Sequence, residues 1–347
     1  MKRLTVILLC IMAVTAWQCT KDERNLSLKE SIERSAARIN TAADAISVSK
    51  GFSILTVTDY GAKSDDNYGF RDSIDLEMIA GIYDFKPGEA KHHHHFFPLR
   101  LFEKTGESDK MIINMPEKLA FHPMHLHFCD RADSVLKNNF TIRAAGYHYY
   151  FTGLNNSDYR LEADFSLNSE DIGKMSMYSA WKQGFTGEYS KKFTFPEGYS
   201  VISSGSTGDT VKLIFALAEG GDILLKEALI LTGKDFRHHE RQYILSVGNV
   251  DMKKTSGIDS IQVFLNGVLQ KKAAAKITDA EADDNPSICR RRDILLTFDD
   301  GTTAKLSDLL SPARKTLKLL HRSIGEMYFS KYIVDYIALS IYYNNHQ

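Results

Sequence analysis

The sequence predicts an α+β protein: a large antiparallel β-meander, forming a curved or sandwich-like sheet, with a helical segment at each end. Three observations predict it. The middle of the chain alternates short period-two segments with tight-turn sequences. Apolar residues recur at helical spacing near both termini. The composition, 43% hydrophobic and 25% charged over 347 residues, is that of a globular protein and argues against a disordered or multi-span membrane chain. Lys plus Arg number 43 and Asp plus Glu 44, a net charge of −1. That balance leaves no basic excess to neutralise a phosphate backbone, so nucleic acid is not an expected partner.

Lys2 and Arg3 precede an apolar run, Leu4 to Val14, too short to span a bilayer as a helix. The run ends in Thr15-Ala16-Trp17-Gln18-Cys19, and Thr20-Lys21-Asp22-Glu23 follow. A basic start, a short apolar run and a thiol at its end resemble the signal peptide of bacterial lipoproteins. The Lys-Asp-Glu tag is similar to that of surface-exported lipoproteins of some Gram-negative bacteria. That family usually has an aliphatic residue and a small residue where Ala16 and Gln18 stand here. The resemblance implies cleavage before Cys19, acylation of its sulfur, and an outer-membrane anchor with the body exposed at the cell surface. The alternative is a plain secretory peptide cut near Ala16, releasing a periplasmic or secreted protein. The expected organisation is therefore a signal peptide over 1–18, a lipidated tether over 19–26 and a β-rich body over 27–347, with a soft division near residue 150.

Loss of residues 1–18 leaves 41 basic residues against 44 acidic, which offers no polybasic membrane patch. It also leaves Cys129 and Cys289 beside Cys19. In an exported protein these two can pair as one disulfide, and two separate buried thiols are the alternative.

The body opens with a helix. Ser27-Leu28-Lys29-Glu30 fits a capping box, Leu28, Ile32, Ile39, Ala43 and Ile46 form its stripe, and Gly51 can supply a left-handed stop. From Phe52 the period becomes two: Phe52–Thr58 reads as a strand, and so does the alternation of Ile74, Leu76, Met78, Ala80 and Ile82. Further strands are expected around 111–115, 140–144 and 159–167, then at 190–195, 199–203, 210–217 and 223–231, the last four separated by glycine-bearing turns. Asn266-Gly267 fits a two-residue type I′ hairpin, and Asp299-Asp300-Gly301 a second hairpin. Strands joined by tight turns must be antiparallel, hence the meander. Near the end, Ser311 and Pro312 start a helix carrying Leu317, Leu320 and Ile324. Gly325 breaks it, and Ile333, Ile337 and Ile341 continue in a piece apolar on more than one face. The outline is similar to the half-barrel of lipoprotein carriers and lipid-binding lipoproteins, a likeness of pattern that carries no functional residue across.

Candidate chemistry is sparse. His122, His125, His127 and Cys129 would gather imidazoles and a thiolate near one strand face, a ligand set suited to Zn or Cu. The stretch His122–His127 is similar to a copper-ligating segment of multicopper oxidases, but the companion His-Cys-His segment of that family is absent. A run of four histidines, His92–His95, is a second metal-prone or merely solvated segment, and His238-His239-Glu240 lacks the second histidine of a zinc-protease helix. No nucleophile elbow, phosphate-binding loop or dinucleotide turn occurs. Tyr147-His148-Tyr149-Tyr150-Phe151 and Trp181 could stack on a flat ligand, although alternating aromatics in a strand more often divide between core and cross-strand pairs. The expectation is an envelope-anchored lipoprotein, non-catalytic and without a cofactor, whose concave sheet binds an apolar ligand or a protein partner. A metal-binding protein and a surface glycan-binding protein are the two alternatives.

Overall fold

The computed structural model describes residues 26–56, 73–86, 101–118, 137–152, 156–182, 186–233, 240–258, 260–279, 292–325 and 328–345. The fold is α+β and dominated by one antiparallel meander. Helix α1 (Leu28–Ser47) begins with the predicted capping box: the Ser27 hydroxyl accepts from the Glu30 backbone and the Glu30 carboxylate accepts from the Ser27 backbone. Helix α2 (Lys50–Leu55) follows at once.

That second helix corrects two expectations. Phe52–Leu55 is helical, because the Ser49 side chain caps it by accepting from Phe52 N–H. Gly51 is not a left-handed stop but a packing glycine. A Cβ there would stand 2.3 Å from the Ile172 carbonyl oxygen and 3.2 Å from the Phe195 ring. The single strand expected across 74–82 is also broken, into β1 (Ser73–Asp75), a short turn of helix α3 (Leu76–Ile79) and β2 (Gly81–Phe85).

The remaining strands are β3 (Phe102–Gly106), β4 (Met111–Met115), β5 (Phe140–Phe151), β6 (Ser157–Leu167), β7 (Glu170–Lys182), β8 (Thr186–Thr194), β9 (Tyr199–Thr207), β10 (Thr210–Glu219), β11 (Asp222–Thr232), β12 (Glu240–Val247), β13 (Val250–Thr255), β14 (Gln262–Leu265) and β15 (Val268–Leu269). From β5 to β15 each strand pairs with its sequence neighbour, and the sheet continues past β5 in the order β4, β2, β3. One pairing departs from the antiparallel expectation: β2 runs parallel to β4. Strand β5 is long enough to hold β4 along its first half and β1 along its second. Asn266 and Gly267 adopt the positive φ angles, 50° and 77°, of the expected type I′ turn. A separate small sheet of β16 (Ala274–Asp279), β17 (Arg292–Thr297) and β18 (Thr303–Lys305) includes the Asp299-Asp300-Gly301 hairpin.

After it come α4 (Leu306–Leu309), α5 (Arg314–Gly325) and α6 (Tyr328–Asn345). Helix α5 starts two residues beyond Pro312 and ends at the predicted Gly325. One face of the large sheet carries the helices, with α1 over β11 to β13, α5 over β8 and β9, and α6 beside β1. The main core lies between them. Its register is exact across nine strands: Ala144, Ala163, Met175, Phe193, Val201, Leu217, Leu225, Val247 and Val250 sit opposite one another in a single row, and all are buried. Phe140, Phe165 and Phe193 stack along it at ring spacings of 6.2 and 6.1 Å, and Phe195 meets Phe193 edge-on at 4.9 Å.

Because α2 meets this row through Gly51, Gly51→Ala is expected to destabilise the protein. The overpacking penalty of about 1–3 kcal/mol outweighs the gain of about 1 kcal/mol in helix propensity. A lower urea midpoint at unchanged m would bear this out, and a raised midpoint would contradict the packing role.

Candidate functional site

The inner face divides into a half covered by helices and a half, called open below, that no described helix covers. The division is built from β5. Its register slips at Ala145, so that Ala144 faces Ala163 while Gly146 faces Glu162. This bulge swings Tyr147 and Tyr149 inward, and His148 outward, where its Nδ1 lies 2.7 Å from Asp75 Oδ1 of β1. The aromatic run thus divides as expected between core and edge.

The inward tyrosines meet α6. Tyr147 and Tyr159 each donate to Asp335 Oδ1 at 3.1 Å, and Lys331 Nζ lies 2.9 Å from Asp335 Oδ2. The same ammonium stands 4.8 Å from the centroid of the Tyr159 ring, a cation–π contact. Burial pushes the Asp335 carboxyl up from its ordinary value, against the pull of Lys331 and the two phenols. Burial, and then the facing carboxylate, push both tyrosines well above theirs. The cluster is internally matched: one carboxylate accepts from three donors. Its chemistry is that of an anchor, since Ile333, Val334, Ile337 and Ala338 are fully buried apolar neighbours on the same helix and do little to prevent it sliding by a turn.

Lys191 of β8 comes in from the sheet. It faces Met177 on one side and Ser203 on the other, and donates to the Gly325 carbonyl at 2.6 Å, where α5 ends. Burial, aided by Lys331, pushes its amine down to about 8. Two strands further toward the middle, the Phe215 ring packs 4.8 Å from His321 of α5.

Beyond Lys191 the described helices stop from β8 onward, while at β6 the next row still meets α6 through Tyr159. That row reads Tyr159, Ser179, Tyr189, Gly205, Leu213, Leu229, Tyr243 and Lys254. The row after it includes Trp181, Gly187 and Thr207, then Val211, Leu231 and Arg241. Here Leu213 is 41% exposed and Tyr243 36%, whereas the covered row has no exposed apolar side chain. Trp181 lies across Gly187, where a Cβ would stand 2.4 Å from the indole, and Tyr189 lies across Gly205 at 2.5 Å. Glycine inside a strand marks such close approach. Burial, and then Glu227, to which it donates, raise the Tyr243 phenol above its ordinary value.

The residues singled out from the sequence fall unevenly. Cys19, His122, His125, His127, Cys129, Cys289, the His92–His95 run and His238-His239 lie outside the described residues. Among the described residues no three His, Cys, Asp or Glu side chains are grouped to hold a metal ion, and no helix is long and apolar enough to cross a membrane. Trp181 and Tyr147 sit on the inner face as a strand reading allows. Asp335, Lys331 and Lys191 were not singled out, yet a signal exists: Asp335 is the lone carboxylate in Tyr332-Ile-Val-Asp-Tyr-Ile-Ala-Leu339, with a lysine four residues before it.

No family model, no curated protein and no solved structure matches the chain. The functional reading therefore rests on these residues.

Lys191 supplies a pH test. Its folded-state value near 8 lies below the ordinary 10.5, so between about pH 8 and 10.5 the unfolded chain binds a proton that the folded chain has released. Stability from this group therefore rises with pH across that window and is at its lowest below it. Lys191→Met removes the effect. Unfolding free energies measured from pH 7 to 10.5 are expected to show the variant's advantage shrinking as pH rises, and a constant difference would refute the burial.

Proposed function

We propose that the protein is an outer-membrane lipoprotein facing the cell surface, anchored by acylated Cys19, and that its body is a non-catalytic binding device. The observation that carries the binding part is the open half of the inner face, where Leu213 and Tyr243 reach solvent on the same strands whose next inward residues form the core. An apolar ligand laid on those rows would remove that surface from water at about 25 cal/mol per Å². The anchoring part rests on the sequence. Lys2, Arg3, the apolar run and Cys19 precede Leu28 by a short polar stretch, so an acylated Cys19 would hold the body close to the membrane.

The two parts separate experimentally. Labelled palmitate is expected in the wild-type protein and not in Cys19→Ser, and equal labelling of both would end the lipoprotein reading. Organic extracts of purified Cys19→Ser protein, free of the anchor's own acyl chains, are expected to yield a co-purified apolar molecule by mass spectrometry. Leu213→Asp should lose it. An empty extract would sink the apolar-ligand reading.

A glycan-binding surface is the second reading, favoured by the two rings that lie flat across Gly187 and Gly205. Both are only half-buried, and an aromatic ring over a strand glycine can stack on a sugar ring. Glycan-array binding that disappears in Trp181→Ala would support it, and no signal above background would dismiss it.

A further inference from the structure

The open rows are chemically graded, and the grading names a ligand class. At the β9 end Tyr189 roofs Gly205. Across β10 and β11 the inward residues are aliphatic: Leu213 and Leu229 face each other in one row, Val211 and Leu231 in the next. At the β12–β13 end the same rows finish in cations, with Arg241 opposite Leu231 and Lys254 opposite Tyr243. No carboxylate occupies an inward position of these two rows between β9 and β13. The nearest, Glu227, belongs to the adjoining row and accepts from Tyr243. Arg241 is exposed, and its backbone N–H is fixed by the Ser256 hydroxyl. Lys254 donates one hydrogen to the Ile258 carbonyl, which holds it at this end with two more to give.

We propose that the open half of the inner face binds a single-chain amphipathic carboxylate, a long-chain fatty acid, with its chain across Leu213, Leu229, Val211 and Leu231 and its carboxylate at Arg241 and Lys254. This rests on the reading of the face as an apolar-ligand site and adds the charge of the ligand to it. The polarity is complementary along one line: apolar floor, then two cations, with no acid at an inward position of the two rows among the described residues. Four strand spacings separate β9 from β13, about 19 Å, a run suited to an extended acyl chain. A guanidinium takes a carboxylate in a bidentate pair, and the ammonium of Lys254 adds a second charge-assisted donor.

The test uses the mature Cys19→Ser chain, in which Trp181 is the single tryptophan and reports on the same face. Hexadecanoate, hexadecanol and hexadecyltrimethylammonium are titrated separately, below the concentrations at which they aggregate. The acid is expected to bind about tenfold or more tightly than the alcohol, the worth of one charge-assisted hydrogen bond, and the cation more weakly than either. In Arg241→Gln/Lys254→Gln the acid should fall to the alcohol's affinity while the alcohol stays unchanged. Leu213→Asp should weaken all three. Equal affinity for acid and alcohol in the wild-type chain would overturn the carboxylate assignment and leave the apolar-ligand reading standing. Binding of none of the three would overturn both.

Discussion

From β5 to β15 every strand lies against the strand next to it in sequence, and this nearest-neighbour register is what the rest of the molecule inherits. Side chains along a strand alternate faces, so a slip of one residue anywhere would turn a whole strand inside out. The register holds well enough that a single buried row runs from Ala144 to Val250. It is adjusted where the site needs it. Without the extra residue at Ala145, Gly146 and His148 would face the helices and the tyrosines would face solvent. Asp335 would then keep Lys331 and Tyr159 of β6 but lose the Tyr147 phenol. The bulge is thus the link between sheet register and helix position.

The helices are held by unequal means. Helix α1 is tied through Arg38, 2.8 Å from Glu219, and Lys50 of α2 pairs with Glu170, but these pairs are substantially exposed and such pairs contribute little. Their hold comes from burial of Ile32, Ile39, Ala43 and Ile46, and from the close approach of Ser35 to Gly248. Helix α6 is different. Its apolar surface wraps more than one face, which leaves rotation and sliding poorly specified. A buried carboxylate that must reach two phenols at once specifies both. Removing one partner of such a group costs several kcal/mol, so the specificity is strongly enforced.

The sequence made the local rules visible and hid the long-range ones. Hairpins at Asn266-Gly267 and Asp299-Asp300-Gly301 were legible because the turn chemistry is carried by two or three adjacent residues. The capping box at Ser27 and the break at Gly325 were legible for the same reason. Phe52–Leu55 misled because a short apolar run has no period of its own, and its helix is decided by the Ser49 cap and by contact with Ile172 more than a hundred residues away. Strands β3, β7, β12, β13 and β16 escaped; in β7, β12 and β13 the inward residues include Ser179, Trp181, Arg241 and Lys254, polar or amphipathic side chains that blur the alternation. Those are the residues of the open rows. Legibility failed where the inner face stops behaving as core. The anchor at Asp335 was hidden in another way, since its partners lie on β5 and β6 and nothing local announces them.

That failure bears on function. The strands that build the buried row also build the open one: β10, β11 and β12 place Leu217, Leu225 and Val247 under the helices, and Leu213, Leu229 and Tyr243 beyond them. If the open rows were only the uncovered end of a core, polar substitution there would cost nothing and would improve solubility. The sequence instead keeps aliphatic side chains at Val211, Leu213, Leu229 and Leu231, and places cations beside them and not among them. It also keeps glycine at Gly187 and Gly205, in strand interiors where glycine weakens the sheet, so that rings can lie flat. Surface that is expensive to leave in water, bordered by ordered polarity and built on a fixed register, is what supports the proposed binding face. The described helices stop at Lys191 from β8 onward, which leaves room for the proposed ligand to complete the core.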